Sequence, residues 1–585
     1  MKTKIILSTT LLVMLAACSS NDNAKTDNDN KGKVDIAQGI EFKVNVKDFN
    51  AEKEYAGTRA AQKPDIISRK TVDLGNNLLA EVTVQRDTTK TQRPATATRA
   101  LDNDTYTMLV FKGSFPSYTL EAQCTGTLKD GKFTPGTRVY LDPGKYIFVL
   151  HNSRLTKVTT PMGTIGLKLT RENADKALIG QTEYTVAATP DPQYVDFEMS
   201  HVGCRMRIKL TGWMPIQAST TASLQAYNSN LLPKDCVFEL PIGDVSGVDD
   251  LSGLNEPLIF PASATTPDAN GTYTTQSNEY LYFVPGTDME GFKLTFTGGL
   301  IYKHNMAGVS VNLISLIDPS TLQAAVMTIN DSYLVNINLK YNFLYLMSDG
   351  TTDFLNSTQY TALRADDGKT KIYRDKAGNP LATPKEPIAV VISQSKRMAV
   401  LLIDSDGENP TYWCSPLFQH TQTNTHSVTD LSDALNASAT SGYDETYDPS
   451  YSTSSVGGPK VQAYHFPAFG FCGNHASSIL YTGTPALKGF LPSYSDFREM
   501  FSALGFGDKS AVTQAWQMYT WYGRLASLAF TQVGGKGFDG TRWYWTSTEM
   551  GTDYVGIVNP KPTHMHWGND TKSNNDIYVR PFVRY

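Results

Sequence analysis

Apolar and polar residues alternate along this chain between residue 40 and about residue 345. The clearest case is Cys204–Leu210, where Cys, Met, Ile and Leu fall on one side and Arg, Arg and Lys on the other. A period of two is typical of a strand with one buried face. The same pattern, separated by Gly and Pro turns, predicts strands at Ala80–Val84, Tyr106–Phe111, Tyr146–Leu150 and Val335–Phe343. The first half of the chain is therefore predicted to be built of β-sandwiches.

The pattern changes after residue 345. Residues 348–387 are polar and turn-rich, and are predicted to be a linker. Beyond them, two apolar runs predict a hairpin, and two stretches with helical spacing predict helices. These elements are the hairpin Ile388–Ile392 with Met398–Ile403, the helix from Ser493 or Ser495 to Gly505, and a second helix from Ala511 to Ala529. The fold class is thus mainly β, with a last domain, 388–585, that is α+β.

The first 40 residues carry an export pattern. Met1–Lys4 is basic, and Ile5–Ala17 is apolar but too short to span a bilayer stably. The run ends in Leu-Ala-Ala-Cys, which resembles a bacterial lipobox and implies a signal peptide, 1–17, that is removed before a lipidated Cys18. The polar residues that follow lack periodicity, so 18–39 is predicted to be a disordered tether. The precursor is therefore expected at the outer membrane, held there by its lipid.

Composition limits the partners and the chemistry. The 52 basic and 57 acidic residues give a net charge of −5, which offers no basis for binding nucleic acid. Apart from Cys18, five cysteines do not make a disulfide framework, although a Cys414–Cys472 pair stays open. No nucleophile elbow, phosphate-binding loop or zinc-protease helix occurs, and no carboxylate pair stands out. The chain is predicted to be a non-enzyme without a cofactor.

Two histidines and an Asn-Asp pair are the metal candidates. His564 and His566 fall on one face of a predicted strand, and Asn569-Asp570 follows closely. Calcium takes six to eight oxygen ligands, and zinc needs a third protein ligand with supporting contacts. No such partners are evident in this domain, so no metal is predicted.

Four features occur in order over residues 1–345. They are the lipobox with its tether, Thr71–Asn77 leading into a strand at Leu78–Val84, the Thr- and Arg-rich stretch Thr88–Arg99, and Phe197–His201 running into the Cys204 strand. Together they resemble the fimbrillins, the subunits of the type V pili of Bacteroidetes. The resemblance implies two tandem transthyretin-like β-sandwiches, at 40–197 and 198–347.

The resemblance also implies an assembly mechanism. In fimbrillins an Arg-specific protease removes the first strand of the first domain, and a donor strand from a neighbouring pilus subunit fills the groove by β-strand addition. The preferred scissile bond here is Arg99-Ala100, because Thr88–Thr98 has no hydrophobic pattern, and Arg59-Ala60 is the alternative. A cut at Arg99 is expected to displace the strand at Leu78–Val84.

Three motifs follow one another in the last hundred residues. They are Gly489-Phe490-Leu491-Pro492-Ser493, Tyr544-Trp545-Thr546-Ser547-Thr548-Glu549 and Tyr578-Val579-Arg580-Pro581-Phe582. In this order they resemble the FISUMP domains, relatives of the C-type-lectin-like fold, although Pro581 replaces the usual Cys. Six of the seven Trp lie beyond residue 400, and exposed aromatic rings suit sugars and protein surfaces. Trp543, Trp545, Trp567 and His566 are the predicted ligand-facing residues, with burial in a core as the alternative.

These patterns favour a pilus-tip adhesin. A further domain follows the second sandwich, where a stalk subunit would carry its own donor strand. The expected targets are a host or bacterial surface protein or a glycan. One alternative is a pilus anchor or accessory lipoprotein that keeps its lipid at Cys18. Another is a lipoprotein that captures glycans for uptake.

Overall fold

The structure of the protein is a computed structural model. It describes residues 32–49, 66–87, 104–114, 117–241, 243, 245–250, 253–313, 326–355, 362–364, 370–374, 379–435, 441–462 and 464–585. The predicted signal peptide, Cys18, Arg59-Ala60 and Arg99-Ala100 lie outside the described residues. Within those ranges, no helix is long and apolar enough to cross a membrane.

Strands dominate the regular structure, so the prediction of a mainly β chain is confirmed. In chain order the described strands are β1 Val34–Asp35, β2 Ile40–Val46, β3 Ile66–Gly75, β4 Leu78–Arg86, β5 Thr105–Ser114, β6 Ser117–Lys129, β7 Lys132–Pro135, β8 Tyr140–Leu141, β9 Gly144–Asn152, β10 Thr156–Thr159, β11 Ile165–Thr170, β12 Leu178–Val186, β13 Gln193–His201, β14 Cys204–Gly212, β15 Thr221–Ala226, β16 Pro233–Glu239, β17 Val245–Asp250, β18 Asn255–Ile259, β19 Tyr273–Gln276, β20 Leu281–Phe283, β21 Phe292–Gly298, β22 Leu300–Ile301, β23 His304–Asn305, β24 Ser310–Asn312, β25 Ser332–Tyr341, β26 Leu344–Met347, β27 Thr352–Phe354, β28 Ala362–Arg364, β29 Thr370–Arg374, β30 Pro380–Lys385, β31 Pro387–Ser393, β32 Met398–Leu401, β33 Lys488–Phe490, β34 Met518–Thr520, β35 Tyr544–Met550, β36 Tyr554–Pro560, β37 His564–Thr571 and β38 Phe582–Arg584.

Helices are concentrated toward the C-terminal end. The described α-helices are α1 Ile36–Gly39, α2 Leu431–Ala434, α3 Gly442–Tyr447, α4 Pro467–Ser478, α5 Tyr494–Gly505 and α6 Gly523–Thr531. Single turns of 3₁₀-helix occur at Arg171–Asn173, Ser229–Leu231, Met289–Gly291, Asp406–Glu408, Pro416–Phe418, Pro449–Tyr451 and Lys460–Gln462.

The described residues form two compact units that interleave along the chain. Unit 1 holds those within 1–47, 92–153 and 178–200, and unit 2 holds those within 48–91, 154–177 and 201–585. The chain therefore leaves unit 1 twice before residue 200. This division differs from the predicted domains 40–197 and 198–347, because alternation identifies strands without saying which sheet they join.

Unit 1 is a closed ring of seven strands in the order β12-β13-β2-β7-β6-β5-β9. Its core is a cluster of apolar side chains that includes Phe42, Phe148 and Phe197. The pair β2–β13 is parallel, whereas the pairs β2–β7 and β5–β6 are antiparallel. Ile36 is fully buried in this core, so the predicted tether 18–39 is wrong for its last residues.

Unit 2 begins with two sheets that share a core. One has the order β19-β14-β25-β4-β3 with β20 beside β14, and the other has the order β18-β15-β21-β24. The alternation in β14 buries Cys204, Met206, Ile208 and Leu210, as predicted. A four-stranded sheet, β10-β11-β16-β17, also belongs to this unit.

The strand predicted at Leu78–Val84 is present as β4, but it belongs to unit 2 and not, as predicted, to the first β-sandwich. β4 is an interior strand of unit 2, paired with β25 on one side and β3 on the other. Its side chains Leu78, Ala80, Val82 and Val84 are buried in the unit 2 core. β4 is therefore not the strand whose removal would open unit 1.

The last part of unit 2, from β26 onward, is here named the C-terminal module. It contains the sheets β27-β26-β31-β32-β38-β33 and β34-β37-β36-β35 with the helices α2 to α6. The predicted hairpin is β31–β32, and α5 is the predicted helix, with Ser493 and Asp496 forming a capping box. The helix predicted at Ala511–Ala529 is wrong, because Met518–Thr520 is a strand and α6 starts only at Gly523.

The C-terminal module and the preceding sheets of unit 2 share one apolar core. The Phe506 ring of the module lies 6.0 Å from Tyr302 and 5.1 Å from Tyr341 of the preceding sheets. The Tyr345 hydroxyl of β26, on the other side of the predicted boundary, donates to the Ala529 carbonyl at 2.6 Å. Part of the predicted linker 348–387 is strand, since β27 extends the module's first sheet. Packing therefore continues across the predicted domain boundary.

Candidate functional site

The strongest candidate for ligand binding is a group of three aromatic side chains and one methionine on the C-terminal module. We name it the aromatic patch and define it as Trp516, Met518, Trp543 and His566. The Trp543 and His566 rings lie 5.0 Å apart, and the Trp516 ring lies 6.4 Å from the first and 6.1 Å from the second. Trp516 is 55% exposed and Met518 is 62% exposed. The patch therefore presents a compact aromatic surface to solvent.

Strand register brings the patch together. Met518 of β34 lies opposite His566 of β37, and His566 lies opposite Asn559 of β36. Tyr544 of β35 lies opposite Val558, the neighbour of Asn559, so Trp543 reaches the same end of the sheet. Segments that are distant in sequence thus meet at one end of the sheet.

Two of the predicted ligand-facing residues are core residues instead. Trp545 is fully buried and donates its ring N–H to the Thr411 carbonyl at 2.8 Å. Trp567 is fully buried against Tyr494 and Phe501, at 5.5 and 6.2 Å. The prediction that these two rings face a ligand is wrong. Adjacent residues of a strand point to opposite faces, so His566 and Trp567 cannot both face outward.

Trp516 is the residue that sequence reasoning missed. It lies in the turn before β34, and its backbone is left-handed, with φ +60°. Its N–H donates to the Trp567 carbonyl at 2.5 Å. Its ring covers Gly568, where a Cβ would come within 3.0 to 3.2 Å of three ring atoms. The sequence pattern places Trp516 in the helix predicted at Ala511–Ala529, and only the contact across these strands brings it to the patch.

His566 of the patch and its neighbour His564 favour their neutral form. Burial lowers the pKa of His566, and Lys561 lowers it further, while a hydrogen bond to the Trp516 backbone opposes both. Burial lowers the pKa of His564 as well, with Lys561 and His566 adding to the effect. A histidine with a lowered pKa is mostly uncharged near neutral pH. The rings of the patch are therefore neutral at pH 7.

The metal candidates do not converge on an ion site. In the described ranges, no group of three or more His, Cys, Asp and Glu side chains could hold a metal. The Asp570 carboxylate accepts hydrogen bonds from the Thr571 N–H and from the Asn574 side chain, at 2.7 and 2.8 Å. Its oxygens therefore serve the local turn.

The charged residues of the C-terminal motifs hold the module together. Glu549 is buried beside Lys572 and accepts hydrogen bonds from the backbone N–H groups of Thr423 and Asn424. Arg580 is buried and pairs with Asp404 at 2.6 Å. Both side chains are enclosed by protein groups, so these two motif positions are structural.

The cysteines of the module do not form a disulfide. Cys414 and Cys472 are free and buried in one apolar cluster with Trp413 and Trp545. Burial raises the pKa of the Cys414 thiol to about 12. A buried thiol with a raised pKa behaves as a small apolar side chain.

A second candidate site is the position of β2 in unit 1. Seven residue pairs join β2 to β13, from Gln193↔Ile40 to Met199↔Val46, and only two join it to β7. Phe42 is buried at its centre, with its ring 5.9 to 6.2 Å from those of Phe133, Phe148 and Phe197. β2 thus completes the unit 1 core while most of its ladder lies on one side.

Comparisons with known proteins were made for the whole chain. No protein-family model matches it, and no curated protein matches it in sequence. Three similar solved structures come from Bacteroides. A fimbrial protein from Bacteroides ovatus is 12% identical, covers 94% of this chain and 99% of its own, and has a TM-score of 0.22.

The other two are candidate cell adhesion proteins. One, from Bacteroides ovatus, is 15% identical and covers 52% of this chain and 92% of its own, with a TM-score of 0.24. The other, from Bacteroides fragilis, is 13% identical and covers 54% of this chain and 95% of its own, with a TM-score of 0.22. Likenesses at these identities and TM-scores assign neither a fold family nor a function to this chain.

Proposed function

We propose that this chain is the tip subunit of a surface fimbrium, an adhesin that assembles by exchanging the N-terminal strand β2. The precursor is exported as a lipoprotein that is lipidated at Cys18. A protease then removes β2, and another pilus subunit donates a replacement strand. The position of β2 carries the proposal. β2 is held by its hydrogen-bonded pairing with β13 and by apolar side chains that alternate along it. Another strand with the same alternation can make the same backbone pairing and fill the same apolar positions.

Two arginines are candidates for the cut, and the sheets favour Arg59 over Arg99. The hairpin β3–β4 follows Arg59 and precedes Arg99 in the sequence. A cut after Arg59 frees β2 and leaves this hairpin attached to the chain. A cut after Arg99 separates the hairpin as well, although β4 is buried in the unit 2 core. We therefore favour Arg59-Ala60, with Arg99-Ala100 as the alternative.

The C-terminal module supports the tip position. A strand that is donated to another subunit must leave its own sheet, so it cannot be hydrogen-bonded to neighbouring strands on both sides. β38 is paired on both sides, with β32 and β33, and Phe582 and Val583 are buried. The module instead offers the aromatic patch as a surface for a host or bacterial protein or glycan.

Strand exchange can be tested on the purified precursor polypeptide, residues 19–585. An Arg-specific protease is applied, and a fluorescent peptide with the sequence of residues 34–47 stands in for the donor strand. The cut protein is expected to take up the peptide at a molar ratio near one, whereas the uncut protein and a scrambled peptide show no uptake. Equal uptake by cut and uncut protein, or none by either, would contradict the proposal.

A further inference from the structure

Trp516 combines an unfavourable backbone conformation with an exposed side chain. Its φ of +60° lies in the left-handed region, which non-glycine residues and bulky ones above all avoid. More than half of its surface faces solvent. Strained residues that persist in a structure point to function, and exposed aromatic patches mark binding sites.

The ring of Trp516 has one supported face. Gly568 lies beneath that face, and the absence of a side chain there lets the indole rest on the strand. His566 and Trp543 approach Trp516 at interplanar angles of 77° and 60°. These two rings therefore flank Trp516 without stacking on it. Because Trp516 is 55% exposed while Gly568 lies against one face, the rest of the indole offers a flat aromatic surface to a ligand.

The dimensions of the patch fit one sugar ring stacked on that platform. A ligand sandwiched between two rings needs about 7 to 8 Å between them, since carbon atoms pack at roughly 3.5 to 4 Å. The 6.4 Å between Trp516 and Trp543 is too short for that arrangement. A pyranose has one face rich in C–H groups, which packs on an aromatic ring, and hydroxyls around its rim for neighbouring polar groups.

The size and charge of the patch favour a glycan over a protein. A stable protein interface engages about 20 to 30 residues on each side, whereas the patch has four side chains. Its rings carry no charge near neutral pH, and the described residues offer no metal cluster. We propose that the aromatic patch binds a neutral glycan without a metal ion, by stacking one sugar ring on Trp516 between His566 and Trp543. The inference rests on the proposed function, because it names the ligand class of the adhesin.

The experiment uses the full chain on immobilised neutral oligosaccharides that end in glucose, galactose, mannose or N-acetylhexosamine. Binding is measured in the presence of EDTA, and the strongest glycan is then titrated in solution. Trp516→Ala is expected to weaken that binding about 10-fold or more, and Trp516→Phe less than about 5-fold, because a smaller ring still stacks. Gly568→Ala, which lifts the indole from the strand, is expected to weaken it as well.

Tyr554→Ala is the matched control, because Tyr554 is 48% exposed at the other end of the same sheet. Its affinity should stay within twofold of the wild type. Circular dichroism and thermal unfolding confirm that each variant is folded. Absence of glycan binding, a change below twofold in Trp516→Ala, or dependence on calcium would overturn the inference.

Peptide uptake by the cut precursor measures strand exchange in unit 1, and it does not depend on the aromatic patch. Uptake without glycan binding overturns the glycan inference and leaves the proposed assembly standing. Capture of a surface protein that is lost in Trp516→Ala, with no glycan bound, has the same consequence. Glycan binding without uptake would instead support the inference and contradict the strand-exchange part of the proposed function.

Discussion

Arg580 shows how a single residue can hold several segments of the C-terminal module together. Its guanidinium bonds to Asp404 at 2.6 Å and to the carbonyls of Leu401, Leu402 and Lys536 at 3.1 to 3.2 Å. The side chain is fully buried, so every one of these bonds is shielded from water. Buried charge-assisted hydrogen bonds of this kind are costly to break from one side.

Replacing Arg580 by Met is therefore expected to destabilise unit 2. The change leaves three carbonyls without this donor and removes one of the two cations beside Asp404. Arg542 still pairs with Asp404, so we expect a loss of about 3 kcal/mol, at the lower end for a broken buried ion pair. Chemical denaturation followed by tryptophan fluorescence measures it. Arg584→Met is the control, because Arg584 is exposed and its stacking on Tyr443 is worth about 1 kcal/mol or less. Equal effects of the two changes would contradict the structural role of Arg580.

Glu445 makes the stability of the C-terminal module depend on pH. It is fully buried, and burial raises its pKa to about 8 from an ordinary value of 4.5, with Lys460 opposing the effect. The folded protein therefore keeps a proton on Glu445 in a range where the unfolded chain has lost it. The stability from this group is complete below about pH 4.5 and is lost as the pH rises through 8.

The variant Glu445→Gln removes this titration. Between about pH 5 and pH 8 the free energy of unfolding of the wild type is expected to fall relative to that of the variant, by at most about 1.4 kcal/mol per pH unit. Urea denaturation at several pH values measures the difference. Asp444→Asn removes a carboxylate from the same helix, α3, and is the control for a change of charge there. A difference between wild type and Glu445→Gln that stays constant across that range would show that Glu445 does not hold the proton.

Sequence patterns could assign some of these residues and not others. Alternation along β37 correctly groups His564 with His566 and opposes them to Trp567. The same rule groups Trp543 with Trp545, yet only Trp545 is fully buried, because β35 is covered on both faces and Trp543 precedes it. Trp516 reaches the patch through a contact with Gly568, far away in sequence, and no local pattern encodes that contact.

At the scale of elements, β2 is the strand on which the proposed assembly depends. Phe42 is its anchor, since the ring is buried among three other phenylalanines. Helix α5 and strand β4 show what element prediction can achieve. The capping box and the apolar spacing of α5 are local, so its limits could be read from the sequence. The alternation of β4 is equally clear, but its partner β25 is distant in sequence and fixes which sheet it joins.

Phe42→Ala is expected to weaken the hold of unit 1 on β2. A Phe-to-Ala change in a core costs about 3 to 5 kcal/mol, and here the loss should fall on unit 1. In the peptide-uptake experiment, a peptide carrying this change should bind far more weakly than the unaltered peptide. Asn45→Ala in the same peptide is the control, because Asn45 is exposed. Equal binding of the two altered peptides would show that the apolar anchor does not set the affinity.

At the scale of the whole molecule, the chain passes between two units before it completes either of them. The described residues within 48–91 belong to unit 2, although the described residues on either side of them belong to unit 1. A cut between β2 and β3 therefore falls where the chain changes units, and it separates β2 without dividing a sheet of unit 2. Composition and alternation could predict the β-rich class but not this interleaving, because it depends on pairing across long distances.

The most direct test of the account is the N-terminal sequence of this protein recovered from sheared surface fibres. We expect the protein to be present in the fibres and to start at Ala60, or at Ala100 if the second arginine is used. Absence from the fibres, or a lipidated Cys18 with every downstream residue intact, would contradict the removal of β2. That result would identify a surface lipoprotein that stays anchored and displays the C-terminal module.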